Sequence, residues 1–126
     1  MNRGILLVLE GIDGAGKSTQ LARLAHRFSE AGREVVTTRE PYDCDAGRRI
    51  RAMARSGETV APATELAWFV EQRREHVADV IEPALSRAAV VISDRYFLST
   101  VAYQGARGLD AGEILAASEA AFPVPQ

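Results

Sequence analysis

Cysteine is almost absent from these 126 residues: Cys44 stands alone, in no Cys-x-x-Cys or Cys/His metal spacing. No intrachain disulfide can form, and a reducing, cytoplasmic setting is expected. Long apolar runs are also missing. The longest, Ile5–Leu9 and Ala88–Ile92 among them, are five residues each, whereas a membrane span needs about 20, so no membrane partner is expected. Met1-Asn2-Arg3-Gly4 leads straight into a strand-like segment with no leader pattern, so secretion is not expected. An excess of one charge is lacking as well: the net charge is −2 with the signs interspersed, which argues against a nucleic-acid partner. There is no internal repeat or low-complexity stretch. What remains is ordinary globular usage, 47% apolar and 25% charged. The length suits one domain, able to bury roughly two-thirds of its surface around a single core.

The pattern along the chain is strand, helix, strand, helices, strand, helices. Ile5–Leu9 is a continuous apolar run and reads as a strand buried on both faces. Gly11 to Gly16 is a glycine-rich turn, followed by a helix from about Lys17 to Ala31. The stripe of that helix is Leu21, Leu24, Ala25 and Phe28, and its stop is Gly32. Glu34–Thr37 is a short second strand. Thr38 to Arg87 is mostly helical, with a main helix over roughly Thr64–Leu85 whose apolar positions include Leu66, Val70, Val77 and Val80. Ala89–Ile92 is a third buried strand ending at Ser93-Asp94-Arg95-Tyr96. Helices over about Leu98–Gly105 and Ala111–Ala121 close the chain, the second capped by Asp110 with Glu113 three residues on. This order predicts an α/β fold with a parallel sheet and right-handed crossovers.

Gly11-Ile12-Asp13-Gly14-Ala15-Gly16-Lys17-Ser18 matches G-x-x-x-x-G-K-[ST] between a buried strand and an amphipathic helix. In that setting, glycines let backbone N–H groups wrap phosphates at the start of the helix. Lys17 is placed to reach the β- and γ-phosphates, and Ser18 offers a hydroxyl to Mg²⁺. The ATP-binding set is therefore Gly11, Ile12, Asp13, Gly14, Ala15, Gly16, Lys17, Ser18 and Thr19. Asp94 lies at the carboxyl end of the third strand, the edge where ligands gather in a parallel sheet. Beside a phosphate loop it is a second candidate for Mg²⁺, alongside Ser18. A phosphate loop by itself says only that a nucleotide binds.

Four blocks narrow the choice: Leu9–Gln20, Thr38-Arg39-Glu40-Pro41, Phe69-Val70-Glu71-Gln72-Arg73 with His76, and Asp94-Arg95-Tyr96 with Ser99-Thr100 and Ala102-Tyr103-Gln104-Gly105. In this order they closely resemble the thymidylate kinases. The resemblance implies a P-loop kinase three-layer sandwich, with sheet order 2-3-1-4-5, that carries out Mg²⁺-dependent transfer of the ATP γ-phosphoryl to dTMP. It also implies a homodimer. By the same resemblance Lys17, Asp94 and Arg95 serve catalysis, and Arg39 and Arg95 hold the acceptor phosphate. Asp13 accepts from the sugar 3′-hydroxyl, Phe69 stacks on thymine, and Arg73 donates to its O4. Tyr103 packs where a 2′-hydroxyl would sit. Ser99, Thr100 and Gln104 address the base edge.

The residues support part of this directly. Phe69 and Arg73 are four apart on one helix face, so a ring and a guanidinium can meet the same flat base. Arg73 also falls on the apolar stripe, where a charge needs a partner. It is therefore either a ligand-reading group or half of a buried ion pair, and Phe69 either stacks on a base or simply packs. His76 reads as a helix-packing histidine with no chemistry, and Cys44 as incidental.

The chain also departs from the family pattern. Arg-Glu-Pro is usually followed by Gly-Gly-Thr, and here by Tyr42-Asp43-Cys44; Gly47 is followed by Arg48; and Gln72 replaces an acid that commonly precedes the base-reading arginine. Tyr42 is expected to add an aromatic wall to the site. Only three strands can be found, in order 2-3-1, which would leave Ile5–Leu9 as an uncovered edge. Phe122–Gln126 reads as the lead-in to a fourth strand. Gly14 stands where some thymidylate kinases carry a catalytic arginine, and no lid segment supplies another. Residues 1–126 are thus expected to form a single P-loop nucleoside monophosphate kinase domain lacking its C-terminal third. The rival readings are a P-loop kinase for another nucleotide or nucleoside, and a nucleotide-binding fragment without turnover.

Overall fold

A computed structural model describes residues 3–11, 14 and 16–126. Three parallel strands, β1 (Ile5–Leu9), β2 (Val35–Arg39) and β3 (Val90–Asp94), form one sheet in the order β1-β3-β2. This is the expected arrangement, with the third strand in the middle. β3 is fully buried apart from Asp94, as its unbroken apolar run foretold. β1 is not the doubly buried strand its composition suggested: only Leu6 is buried and its four companions are half-exposed. A continuous apolar run needs cover on both faces and both edges, and β1 sits at the margin of the sheet. Its outer edge is not bare throughout, however. The Gln126 N–H donates to the Leu6 carbonyl at 3.0 Å, and the Leu6 N–H donates to Gln126 Oε1 at 2.9 Å. The segment expected to lead into a fourth strand therefore reaches the free side of β1, without itself forming a strand.

Strand register explains where the site must lie. Leu9 pairs with Asp94 and Asp94 with Arg39, so all three strands end at one level. The segments leaving them open onto a common edge, the position at which α/β sheets bind ligands. Helix α1 (Lys17–Glu30) packs on β2 and β3, although none of its residues is fully buried. Helices α2 (Asp45–Ser56) and α3 (Pro62–His76) pack together. A single π-helical turn, Val77–Ile81, joins α3 to the short α4 (Glu82–Ser86). The continuous helix expected over Thr64–Leu85 is interrupted there because Pro83 has no N–H for the i−4 ladder, and a wider turn, with the Glu82 N–H on the Val77 carbonyl, precedes it. After β3 come α5 (Phe97–Ala106) and α6 (Ala111–Ala121). Asp110 caps α6 as expected, accepting from the Glu113 N–H at 3.0 Å.

The main core lies on one face of the sheet. It joins Leu6 and Val91 to Ile81, Ala84 and Leu85 below the π turn, to Tyr96 and Phe97 at the start of α5, and to Phe122. Val90 and Ile92 are equally buried but lie outside this cluster. Strand alternation turns them to the opposite face, the side left for α1. Helix α3 reverses the usual pattern. Its four fully buried residues are Glu65, Gln72, Arg73 and His76, all polar, while the apolar stripe Leu66, Val70 is only half-buried.

Candidate active site

The phosphate loop is described at Gly11, Gly14 and Gly16; Ile12, Asp13 and Ala15, which the sequence also placed in the site, lie outside the described residues. Gly14 and Gly16 have φ of 83° and 86°, a region that costs other residues about 1–2 kcal/mol. Gly16 is the N-cap of α1 and supplies no side-chain acceptor. The first N–H groups of the helix, at Lys17, Ser18 and Thr19, therefore point past the end with no helical partner, which is the arrangement that receives anions. A cleft of about 320 Å³ opens there, lined by Gly14, Gly16, Lys17, Ser18, Thr19 and Asp94. Lys17 Nζ sits 3.1 Å from Asp94 Oδ1. Among the described residues that buried oxygen has no aligned hydrogen bond, and the lysine charge is its close partner.

A second cleft, about 300 Å³, shares Ser18 and Asp94 and adds Leu21, Thr37, Thr38 and Arg39. Ser18 and Asp94 thus face common space, with an under-coordinated carboxylate oxygen on one side and a hydroxyl on the other. This donor set fits a hard divalent cation. No group of three or more His, Cys, Asp or Glu side chains is gathered among the described residues, so further ligands would have to come from phosphate oxygens or water.

At Arg95 the chain turns. Its φ is +72°, strained for a side chain of this size. The turn is held from both sides: the Arg95 N–H donates to the Leu9 carbonyl at 2.9 Å, and Ser93 Oγ donates to the Arg95 carbonyl at 2.8 Å. Glu10 completes the clamp by accepting the Tyr96 N–H at 2.8 Å and the Ser99 hydroxyl. The consequence is that neighbouring residues face different places. Asp94 lines the phosphate clefts, Tyr96 enters the core, and Arg95 turns into a third cleft of about 260 Å³ with Glu10, Gly11, Leu98, Ser99, Ala102 and Tyr103.

That cleft continues inward. Arg95, Ser99 and Tyr103 also line a smaller cavity of about 140 Å³ whose other walls are Glu40, Pro41, Phe69, Arg73 and Tyr96. Phe69 and Arg73 therefore face the same space, as their spacing implied. Arg73 is 1% exposed. Its Nε and Nη2 both donate to Glu40 Oε1, at 2.9 and 2.7 Å, and Nη2 also to Thr100 Oγ1 at 3.0 Å. The guanidinium lies over the rings of Tyr96 and Phe122, at 5.4 and 5.9 Å. Among the described residues, Nη1 alone of its nitrogens has no hydrogen-bond partner. Of the two readings of Arg73, the buried ion pair is seen directly, and the guanidinium keeps one donor spare. Burial alone would raise the Glu40 carboxyl, but the His76 hydrogen bond and the charge and hydrogen bonds of Arg73 outweigh it, leaving Glu40 below the usual carboxylate range.

Other expected site residues are placed less directly. Arg39 lines the Ser18–Asp94 cleft and not the cavity of Phe69 and Arg73. Thr100 is buried and meets Arg73. Gln104 lines neither inner cleft; it is buried, with Nε2 on Glu65 and Oε1 unpartnered. Tyr42 forms no wall of the cavity: it stacks on His76 at 4.9 Å, and its hydroxyl donates to Asp79 at 3.0 Å. Cys44 is more than incidental, since its Sγ accepts the Gly47 N–H and caps α2. Gln72, standing where an acid is common, accepts the Tyr42 N–H at 2.7 Å and donates to Glu40 at 3.1 Å. An acid there could not make the second bond and would face Glu40 with a like charge.

The family model for thymidylate kinase matches residues 9–126. This chain belongs to the thymidylate kinase family. It is 48% identical to the thymidylate kinase of Akkermansia muciniphila over 123 residues, which cover 98% of this chain and 59% of that protein. It is also 48% identical to the probable thymidylate kinase of Pyrococcus horikoshii over 113 residues, 86% of this chain and 55% of that one. The crystal structure of thymidylate kinase from Ehrlichia chaffeensis superposes with a TM-score of 0.83 at 35% identity, across 97% of this chain and 71% of that one. The chain thus spans a little over half the length of the curated thymidylate kinases it matches. Its fold is that of a P-loop kinase, as the motif blocks implied, and none of its helices is long and apolar enough to cross a membrane among the described residues.

Glu10, Thr38 and Glu40 line these clefts and His76 bonds Glu40, and the sequence reading gave none of the four a role. One signal was available: Gln72, Arg73 and His76 fall together on the inward side of one helix, and three polar groups there require an acidic partner.

Proposed function

We propose that this chain binds ATP at the phosphate loop and dTMP in the cavity of Phe69 and Arg73, and transfers the γ-phosphoryl group between them to give dTDP. The observation that carries this is the division of labour at Asp94 and Arg95. Two adjacent residues face two clefts, one at the phosphate loop and one leading to a pocket walled in part by Phe69, Tyr96 and Tyr103. Phosphoryl transfer needs little covalent help from the protein, because the acceptor phosphate oxygen is already nucleophilic; it needs positioning and charge.

Lys17 and the first N–H groups of α1 receive the donor phosphates. Arg95, entering from the acceptor side, and Arg39, from the phosphate side, converge on the phosphate to be extended, each with a planar fork of donors. Phe69 stacks on the base, the spare Nη1 of Arg73 donates to its O4, Tyr103 flanks the sugar and Ser99 addresses the base edge. Thr100 supports the base edge from behind, through its hydrogen bond with Arg73. Asp13 takes the sugar 3′-hydroxyl. Ser18 and Asp94 hold Mg²⁺, which neutralises phosphate charge when bound. We further assign the protein to the cytoplasm, as a homodimer and with residues 1–126 acting as one P-loop domain, on the family resemblance.

The test is calorimetric titration of the 126-residue chain with dTMP, dUMP, dCMP, AMP and GMP, paired with coupled ADP release for each. Preference for dTMP in both supports the reading. Equal binding of all five, or a preference for a purine nucleotide, overturns it.

A further inference from the structure

We propose that His76 is a positioning residue for Arg73, setting the angle at which the spare guanidinium nitrogen meets the base; this rests on the reading of the inner cavity as a thymine site. An arginine and a carboxylate left to themselves pair fork to fork, two N–H groups on two oxygens. Here both N–H groups of Arg73 converge on Oε1 of Glu40, which also accepts from Gln72, while Oε2 accepts from His76 Nδ1 at 2.8 Å. The carboxylate only accepts, so Nδ1 carries the proton and donates. In the neutral ring Nε2 is then the acceptor, for the Thr38 hydroxyl at 2.6 Å. The result is a chain of hydrogen bonds, Thr38 to His76 to Glu40 to Arg73, every side chain of it at least partly buried. It starts at Thr38 in the wall of the Ser18–Asp94 cleft and ends at Arg73 in the wall of the base cavity.

Holding Oε2 has a directional consequence. With both bonds on one oxygen, Nε and Nη2 point at Glu40 and Nη1 is turned away from it. Releasing Oε2 lets the pair relax into the fork, which rotates the guanidinium and carries Nη1 with it. The other groups facing His76 cannot substitute. Tyr42 offers it a ring face, and the Tyr42 hydroxyl is committed to Asp79. Gln72 bonds Oε1 rather than Oε2. His76 is thus the group that keeps Oε2 occupied.

The prediction is a change in selectivity at pyrimidine position 4, where thymine has a carbonyl and cytosine an amine. Three variants, His76→Leu, His76→Asn and Thr38→Val, are titrated with dTMP, dCMP and ATP. His76→Leu should weaken dTMP by roughly threefold to tenfold, the weight of one hydrogen bond, with dCMP and ATP unchanged, so that the dTMP/dCMP ratio falls. His76→Asn, whose amide can replace Nδ1–H, should recover most of that ratio. Thr38→Val should give a smaller fall in the dTMP/dCMP ratio, read without ATP because Thr38 also lines the Ser18–Asp94 cleft. Equal weakening of dTMP and dCMP, or no recovery with asparagine, means that His76 is merely structural and overturns the proposal. A ligand-free arm keeps this separate from the binding assignment: ¹⁵N NMR of the histidine ring should show the Nδ1–H tautomer for His76. The Nε2–H tautomer sinks the relay whatever the ligand. If the unmodified chain shows no preference for dTMP while the Nδ1–H tautomer is present, the thymine reading falls and the specificity role falls with it.

Discussion

Glu40 and Arg73 bury opposite charges against each other at 6% and 1% exposure, and a buried charge that loses its partner costs about 3–5 kcal/mol. Glu40→Ala should destabilise the chain by about that much in urea titrations. The double variant Glu40→Leu/Arg73→Met, which removes both charges at similar volume, should recover most of the loss. If the double variant is as unstable as the single, the pair is not what binds this part of the core. Arg95 makes the opposite bargain. Its left-handed backbone costs about 1–2 kcal/mol, and glycine would give back about 0.5–1 of that through its freer unfolded chain. Arg95→Gly should therefore leave stability unchanged or raise it by up to about 1 kcal/mol, while dTMP affinity collapses; a clear drop in stability would show that the turn is not strained. At this scale the sequence was half legible. Arg73 could be picked out because a charge interrupts an apolar stripe. Glu40 could not, because it lies 33 residues away and only the fold brings it to Arg73.

Helix α2 depends on a close approach invisible in the sequence. A Cβ on Gly47 would stand 1.7 Å from the Tyr42 carbonyl oxygen, so no side chain fits without moving the loop that carries Pro41 and Tyr42. Gly47→Ala should cost about 3 kcal/mol or more, at the upper end of overpacking, and should also weaken dTMP binding through Pro41 in the cavity wall. Gly57, the left-handed C-cap of the same helix, faces open space; Gly57→Ala should cost only about 1 kcal/mol, the backbone penalty alone. Thermal unfolding of the two variants side by side tests the contrast, and similar losses would refute it. Elements with local punctuation were readable in advance: α6 begins at its Asp110 cap and α1 ends just before Gly32. Helix α3 was readable as a helix but not in its burial. Periodicity assumes that the deepest face is apolar, and here Gln72, Arg73 and His76 satisfy one another through Glu40 and occupy that face instead. The π turn was hidden as well, since Pro83 announces a disturbance but not its form.

For the molecule as a whole, the depressed Glu40 carboxyl sets a direction for acid stability. A carboxyl whose folded value lies below its unfolded one, about 4.3, stabilises the fold fully above that unfolded value and loses the contribution as pH falls through the folded value. Glu82 is lowered too, by the Arg3 hydrogen bond, but at the surface, where such pairs count for little. The unfolding temperature should therefore hold steady from neutral pH to about 5 and drop below about 4, with a shallower drop in the Glu40→Leu/Arg73→Met variant. An identical acid profile in both would remove Glu40 as the cause. The order of the sheet was legible from motif order and resemblance, whereas the contact of Gln126 with Leu6 was not, because backbone pairing leaves little mark on composition. That order also governs how the chain is made. β1 and β2 do not pair with each other; both wait for β3, which lies between them. A ribosome adding about 5–20 residues per second takes roughly 4–17 s to travel from Leu9 to Asp94. Chain collapse takes microseconds. Throughout synthesis of the intervening helices, then, the apolar first strand has no sheet to join, and whatever shields it in those seconds decides how much of the protein reaches its fold.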